Sequence, residues 1–337
     1  MKYAYLYGGA IGDSLVGLHL GRALHERLPG SHLILISTRR SPFVRELAET
    51  LPYVHYQELI KEDPRTWWFF MLLAITPSSI FVFEPTDVSV PRWWKLILRV
   101  ATVLPGSKEV HSQLIGHERA VRARVVTSIV GPEDNLFMVN VPRTLRAWAV
   151  DPGDALTPFL PRPKCKTPEK PNILFHFFAA SYRRSYPVDK ARSVLEHART
   201  LFPTYEIILS ATPDERERAE AMAKGIPDIR IETELSASEL LCYLQNATVV
   251  VGVASGVTHL ASHLGKPVIA LSNLSDPYWL PTYAPKTIIL ANREHCRCKG
   301  NKQGDCVEDT PDGEVFRCLY YISTESILEA MQATHAL

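Results

Sequence analysis

Three stretches of the chain combine glycine, hydroxyl and charged residues in patterns suited to holding an anion. The first, Gly8-Gly9-Ala10-Ile11-Gly12-Asp13, follows a short apolar run. Glycines such as Gly12 let a backbone approach a ligand closely, and a helix N-terminus favours negative charge. Asp13 has two readings at this helix start. It caps the helix, or it is a carboxylate turned to a cleft, able to take a proton from an attacking hydroxyl. Ser37-Thr38-Arg39 stands where a dinucleotide fold closes its second strand with an acidic residue, which argues against a nicotinamide site.

The second stretch is Val253-Ala254-Ser255-Gly256-Val257-Thr258-His259, a strand running into a helix. The amides of Gly256, Val257 and Thr258 would lack intrahelical partners and could hold a phosphate without a charged side chain. Ser255 either caps the helix or binds a phosphate oxygen, and His259 is either a structural hydrogen-bonder or a ligand contact. The third is Ser181-Tyr182-Arg183-Arg184-Ser185-Tyr186-Pro187. Two arginines in a strand-to-helix loop suit a diphosphate, because guanidinium pairs with phosphate oxygens bidentately. A solvated turn is the plainer reading of the same residues.

Four of the six cysteines, Cys296, Cys298, Cys306 and Cys318, fall within the last 42 residues. Four thiolates can form a closed tetrahedral site for structural zinc or iron. Reduced thiols or a disulfide pair would explain them too. A fourth kind of stretch is basic and aromatic: Arg92-Trp93-Trp94-Lys95 through Arg99, with Trp67-Trp68-Phe69-Phe70. It reads as a core helix with snorkelling cations, or as a contact with an acceptor or a membrane surface.

These loops need a scaffold, and the apolar runs supply one. Lys2 to Tyr7 reads as a strand, followed by a helix from about Asp13 with Val16, Leu20, Leu24 and Leu28 as its stripe. His32 to Ser37 is the next strand and Ser41 to Leu51 the next helix. Ser79 to Phe83 is another buried strand; Pro91 to Leu104 and His117 to Val130 read as helices. After six prolines between positions 152 and 171, the alternation resumes. Strands are expected over Asn172–Phe178, Tyr205–Ser210, Ile229–Ile231, Thr248–Val253 and Pro267–Leu271. Helices are expected over Pro187–Phe202, Pro213–Lys224, Ser236–Gln245 and Ser255–Leu264, with Ser236 and Glu239 at capping-box spacing. The pattern is α/β: two Rossmann-like domains with parallel sheets facing across a cleft. The boundaries read as an N-terminal domain over 1–160, a Pro-rich linker over 161–171, and a C-terminal domain with a Cys-rich tail over 172–337.

The 337 residues suffice for two cores. With 37 Lys plus Arg against 36 Asp plus Glu, the net charge of +1 gives no reason to expect a nucleic-acid partner. The start lacks the h-region of a secretory signal, and no stretch reads as a membrane span. The cytoplasm is the expected compartment, with peripheral contact at the inner face of the membrane.

Gly12-Asp13, Arg184-Ser185-Tyr186-Pro187, Ser255-Gly256 with His259-Leu260-Ala261, and Gly265-Lys266-Pro267 together resemble the heptosyltransferase-like glycosyltransferases, family 9, of GT-B architecture. The cysteine tail is similar to one found in some members. The resemblance spans nearly the whole chain and is strongest over residues 172–330. It implies an inverting transfer of a heptose or related sugar from a nucleoside-diphosphate sugar, ADP-heptose above all, to a hydroxyl on a glycan, lipid-linked glycan or protein. It implies an acceptor domain over 1–160 and a donor domain over 172–337. It implies Asp13 as catalytic base, Arg184 on the donor diphosphate, Asp214 or Glu215 at the nucleotide ribose or base, and no cofactor for the chemistry. One position departs from the family pattern: Ala254 stands where an acidic residue usually precedes the Ser/Thr-Gly pair. A nucleotide-sugar epimerase of the same architecture, or a degenerate sugar-nucleotide binding protein, are the alternatives.

Overall fold

The computed structural model describes residues 2–7, 11–27, 30–37, 42–58, 63, 65–66, 68, 79–83, 110–113, 128–129, 160, 163–273, 280–281, 284, 286–292, 294–295 and 306–335. The chain divides into two compact units, Met1–Leu156 and Thr157–Leu337.

The first unit opens with β1 (Lys2–Tyr7), α1 (Ile11–Arg27), β2 (Ser31–Ser37), α2 (Pro42–Glu49) and β3 (Val54–Glu58). It continues with β4 (Ser79–Phe83), β5 (Val110–Gln113) and β6 (Ser128–Ile129). These strands form one sheet in the order β3-β2-β1-β4-β5-β6, every neighbouring pair parallel. Helix α1 buries Leu24, as its expected stripe required, but also Leu15 and Leu18, which that stripe missed. Ser128–Ile129, expected within a helix, pairs with β5 instead. A β-branched Ile-Val step beside a free parallel edge favours sheet pairing over a weak helical period. The rest of that expected helix and all of Pro91 to Leu104 lie outside the described residues.

The second unit contains β7 (Asn172–His176), α3 (Val188–Leu201), β8 (Glu206–Ser210), α4 (Arg216–Ala223), β9 (Ile229–Glu232), α5 (Ala237–Asn246) and β10 (Ala247–Val253). Then come α6 (Gly256–His263), β11 (Val268–Leu271), β12 (Thr287–Leu290), the β13 (Val307–Thr310) and β14 (Gly313–Phe316) hairpin, α7 (Arg317–Tyr320) and α8 (Thr324–His335). Strands β7 to β12 form a parallel sheet in the order β12-β11-β10-β7-β8-β9. Counted from β7, this is the doubly wound order 6-5-4-1-2-3, the same as in the first unit.

Helices on both faces explain why the central strands read as unbroken apolar runs. All of β7 and β11 is buried, as are Val249, Val250 and Val251 of β10. Helix α5 turns Ala237, Leu240, Leu241 and Leu244 inward at i, i+3, i+4 and i+7. Its expected capping box is formed: Glu239 N donates to Ser236 Oγ at 3.2 Å, and Ser236 N to Glu239 Oε2 at 2.9 Å. At Gly252 a Cβ would fall 2.2 Å from the His176 carbonyl oxygen, so only glycine lets β10 run this close to β7.

Cys165 and Cys242 are joined by a disulfide with a Cα–Cα distance of 5.5 Å. It ties the extended segment ahead of β7 to α5, closing a separation of 77 residues. No helix among the described residues is long and apolar enough to cross a membrane.

Candidate functional site

A doubly wound sheet reverses its winding where its first and fourth strands meet, and the loops leaving those strands part to open a crevice at their carboxyl ends. In the second unit these strands are β7 and β10, paired in parallel. The loop after β7 carries Ser181, Arg183 and Arg184; the turn after β10 carries Ser255 and Gly256. The loop after β8, the other neighbour of β7, carries Asp214 and Glu215. The donor-site residues expected in this half of the chain therefore leave three adjacent strands at one edge.

The β7 loop is short and tied to itself. Tyr182–Arg184 form one 3-10 turn. Tyr186 N donates to Phe177 O at 2.8 Å, and Ala179 N to the buried Ser185 Oγ at 3.1 Å. Tyr186 is fully buried and its hydroxyl donates to Ile322 O at 2.8 Å. Burial pushes that phenol well above its ordinary range. On this frame the two arginines differ. Arg183 forms an ion pair with Glu314 of β14. The half-buried Arg184 guanidinium makes no ion pair or hydrogen bond with the described residues. Ser181 is exposed and its side chain does not cap the turn.

At the β10 turn, helix α6 begins at Gly256, so the amides of Gly256, Val257 and Thr258 sit at its open N-terminus. The Thr258 side chain is consumed locally. It accepts from Ser255 N at 2.9 Å and approaches the Val253 carbonyl at 3.2 Å. Ser255 Oγ is buried and faces the Thr258 backbone N–H in a capping box, with no closer hydrogen-bond partner among the described residues. His259 is 3% exposed, on the inner side of α6. Ala254 N donates to Leu271 O at 2.9 Å, which holds the strand end in the sheet.

After β8, the Glu215 carboxylate is engaged in a capping box, accepting from Thr212 N at 3.0 Å and Thr212 Oγ1 at 2.8 Å. Asp214 beside it is exposed and uncommitted among the described residues.

Three side chains at this edge escaped the sequence reading. His176 ends β7 with only 8% exposure. Its Nδ1 lies 3.0 Å from Ser210 O and 3.1 Å from Ser210 Oγ. Ser210 Oγ in turn donates to Phe175 O at 3.2 Å. The Ser210 carbonyl can only accept, so the ring donates to it from Nδ1, and the Phe178 backbone also bonds the ring. Burial holds the ring's pKa below its ordinary value, against the raising effect of Glu215. Arg218 of α4 lies over Phe178 at 5.2 Å and Tyr182 at 4.4 Å. Its Nε and Nη2 are buried without hydrogen-bond partners among the described residues. The only sequence signal was a polar residue interrupting an apolar strand, at His176.

A group buried neutral makes stability pH-dependent. Folded His176 resists a proton that the unfolded chain binds below about 6.5, so its contribution is present above that pH and is lost as pH falls through it. The melting temperature is expected to drop between about pH 7 and pH 5. His176→Gln should flatten that slope; an unchanged slope would contradict it.

In the first unit, α1 starts at Ile11, which puts Asp13 at its third residue rather than at the cap. A carboxylate there still lies in the positive first turn. Gly12 precedes it, half-buried. Of the aromatic stretch, Trp68 is 65% exposed; Trp67, Phe69, Phe70 and Arg92 through Arg99 lie outside the described residues.

Of the four tail cysteines, Cys306 and Cys318 are buried and flank the β13–β14 hairpin. Val307 pairs with Phe316, and Arg317 N donates to Cys306 O at 3.0 Å, which places both cysteines by the hairpin's open end. Asn292 N donates to Cys318 O at 3.1 Å, and the His295 ring stacks on Tyr321 at 4.1 Å. Cys296 and Cys298, which follow His295 in the chain, lie outside the described residues. Among the described residues no group of three or more His, Cys, Asp or Glu side chains is placed to hold a metal.

Residues 154–309 match the model of glycosyltransferase family 9 (heptosyltransferase). A stretch of 90 residues is 29% identical to lipopolysaccharide heptosyltransferase 1 of Escherichia coli O18:K1:H7 (strain RS218 / NMEC). It covers 27% of this chain and spans about a quarter (26%) of that protein. Among solved structures, E. coli ADP-heptose LPS heptosyltransferase II superposes over 99% of this chain and 98% of its own, with a TM-score of 0.68 at 16% identity. The dodecameric iron-containing heptosyltransferase TibC, solved with ADP-D-beta-D-heptose, covers 99% of this chain and 76% of its own, with a TM-score of 0.56 at 14% identity. The chain thus has the α/β fold of the GT-B heptosyltransferases.

Proposed function

We propose that this chain, whose residues 154–309 match the glycosyltransferase family 9 (heptosyltransferase) model, is an inverting glycosyltransferase using a nucleoside-diphosphate sugar, with ADP-heptose as donor. One observation carries the reading. At the crevice edge of β7 and β10, the Arg184 guanidinium, which has no partner among the described residues, and the amides of Gly256 and Val257 at the start of α6, beside the Ser255 hydroxyl of its capping box, offer donors for an anion. Such a set fits a pyrophosphate. The ADP-heptose in the names of the related structures supports the same ligand class.

The chemistry follows from charge. A hydroxyl of a glycan, lipid-linked glycan or protein acceptor attacks the anomeric carbon from the face opposite the leaving group, and the C–O bond to the diphosphate breaks. The configuration inverts. Asp13 takes the hydroxyl proton as attack proceeds. Negative charge develops on the leaving diphosphate, where Arg184 and the α6 amides stabilise it. Asp214, with Glu215 fixed by its capping box, receives the nucleotide ribose or base. Ala254 supplies no carboxylate beside the sugar, so this enzyme relies on amides and guanidinium there.

A thermal-shift panel of ADP, GDP, UDP and CDP tests the reading, because a ligand that binds only the folded state stabilises it by mass action. ADP is expected to raise the melting temperature most. No shift with any of the four would contradict the donor site. ADP binding without transfer to any acceptor would favour a sugar-nucleotide binding protein, the reading that Ala254 motivates.

We also infer a structural zinc or iron on Cys296, Cys298, Cys306 and Cys318. The placement of Cys306 and Cys318 on the two sides of the hairpin mouth supports it. Four thiolates leave no open coordination position, so the metal would brace the tail and take no part in transfer. Elemental analysis of untagged protein should find about one metal per chain, lost in Cys318→Ser; folded, metal-free wild type would end this idea.

A further inference from the structure

The loop bearing Arg184 is a single 3-10 turn, too short to fix its own side chains. We propose that the β13–β14 hairpin is its positioning element, with Glu314 as the residue that holds Arg183 aside so that Arg184 meets the diphosphate. The inference rests on the donor reading above and assigns a role to a segment that reading does not use.

Consecutive side chains on a 3-10 turn diverge by roughly 120°, so Tyr182, Arg183 and Arg184 leave the turn in three directions. Two of the three end on partners outside the turn. Arg183 pairs with Glu314. The Tyr182 ring lies against Gly313, where an added Cβ would come within 2.9 Å of Cε1. Gly313 has φ +128°, a conformation open to glycine alone. The same ring carries the Arg218 guanidinium at 4.4 Å. Tyr182 is thus seated on the hairpin and on α4, Arg183 is tethered to the hairpin, and Arg184 is left without a partner among the described residues.

The hairpin can act this way because it does not float. Val315 and Phe316 are buried in the same core as Phe177 and Phe178, which lead into the loop. Tyr186, which closes the loop, bonds Ile322 beyond the hairpin. Glu314 and Arg183 are themselves 42% and 47% exposed, so their pair adds little to folding. Loss of the pair should therefore reach ligand binding without unfolding the protein.

The test is a double-mutant cycle on full-length protein, with ADP affinity by calorimetry and kcat and donor KM read separately. Glu314→Gln and Arg183→Ala are each expected to weaken ADP and raise donor KM about 3- to 10-fold, the double variant no more than either single. The turnover number should change little, Glu314→Asp should recover part of the loss, and the melting temperature should hold. Unchanged donor KM in both singles, or additive effects, would overturn the proposal. Tighter ADP binding by Glu314→Gln would overturn it too, since it would mean that Arg183 joins the phosphate site once released. If Arg184→Ala abolishes ADP binding while Glu314→Gln does nothing, only this inference falls. If wild type binds no nucleoside diphosphate, both fall.

Discussion

Asp13→Ala is expected to lower kcat by about 100- to 10,000-fold, the usual worth of one general base, while ADP binding stays within about twofold of wild type. The two halves of that outcome come from different elements. Asp13 lies in the first turn of α1, in the first unit, whereas every proposed phosphate donor lies in the second. Its α1 position is two residues past the helix start, in the turn where a helix favours negative charge. An ionised carboxylate is what a base needs before attack. Asp13→Asn isolates the charge from the shape and should lose nearly as much. Steady-state kinetics beside ADP calorimetry checks both; near-wild-type turnover would refute the base assignment.

Arg184→Ala should produce the opposite split. Hydrogen bonds to charged groups contribute roughly 1.5–3 kcal/mol each, so ADP affinity is expected to fall about 10- to 150-fold. Arg184→Lys should recover only part, because an ammonium keeps the charge and loses the bidentate fork. Folding should be unaffected, since the Arg184 guanidinium has no partner among the described residues to lose. An unchanged ADP affinity in Arg184→Ala would place the diphosphate elsewhere.

Much of this edge was legible in the sequence. Strands buried on both faces, such as Ile173-Leu174-Phe175 and Val249-Val250-Val251, announce themselves as apolar runs, and the Gly, Ser and Arg residues that follow mark the loops. The capping box at Ser236 and Glu239 was visible because both partners sit within one turn. What stayed hidden depends on contacts far apart in the chain. Strands β13 and β14 read VEDT and GEVF, polar and short, because they form a small separate ribbon instead of a doubly covered sheet. Their partners on the arginine loop are 131 residues away, as the Arg183–Glu314 numbering shows. The Cys165–Cys242 bond escaped for the same reason, with attention drawn to the four clustered cysteines. His176 was passed over as one polar letter in an apolar strand, and its role rests on Ser210 of the neighbouring strand. The choice between Asp214 and Glu215 needed the capping box at Thr212, which only the backbone geometry reveals.

A crystal structure of the protein soaked or grown with ADP tests the central claim most directly. The account predicts the pyrophosphate within hydrogen-bond reach of the Arg184 guanidinium and the amides of Gly256 and Val257, with Ser255 Oγ donating to one of its oxygens. A pyrophosphate bound away from the carboxyl ends of β7 and β10 would contradict it.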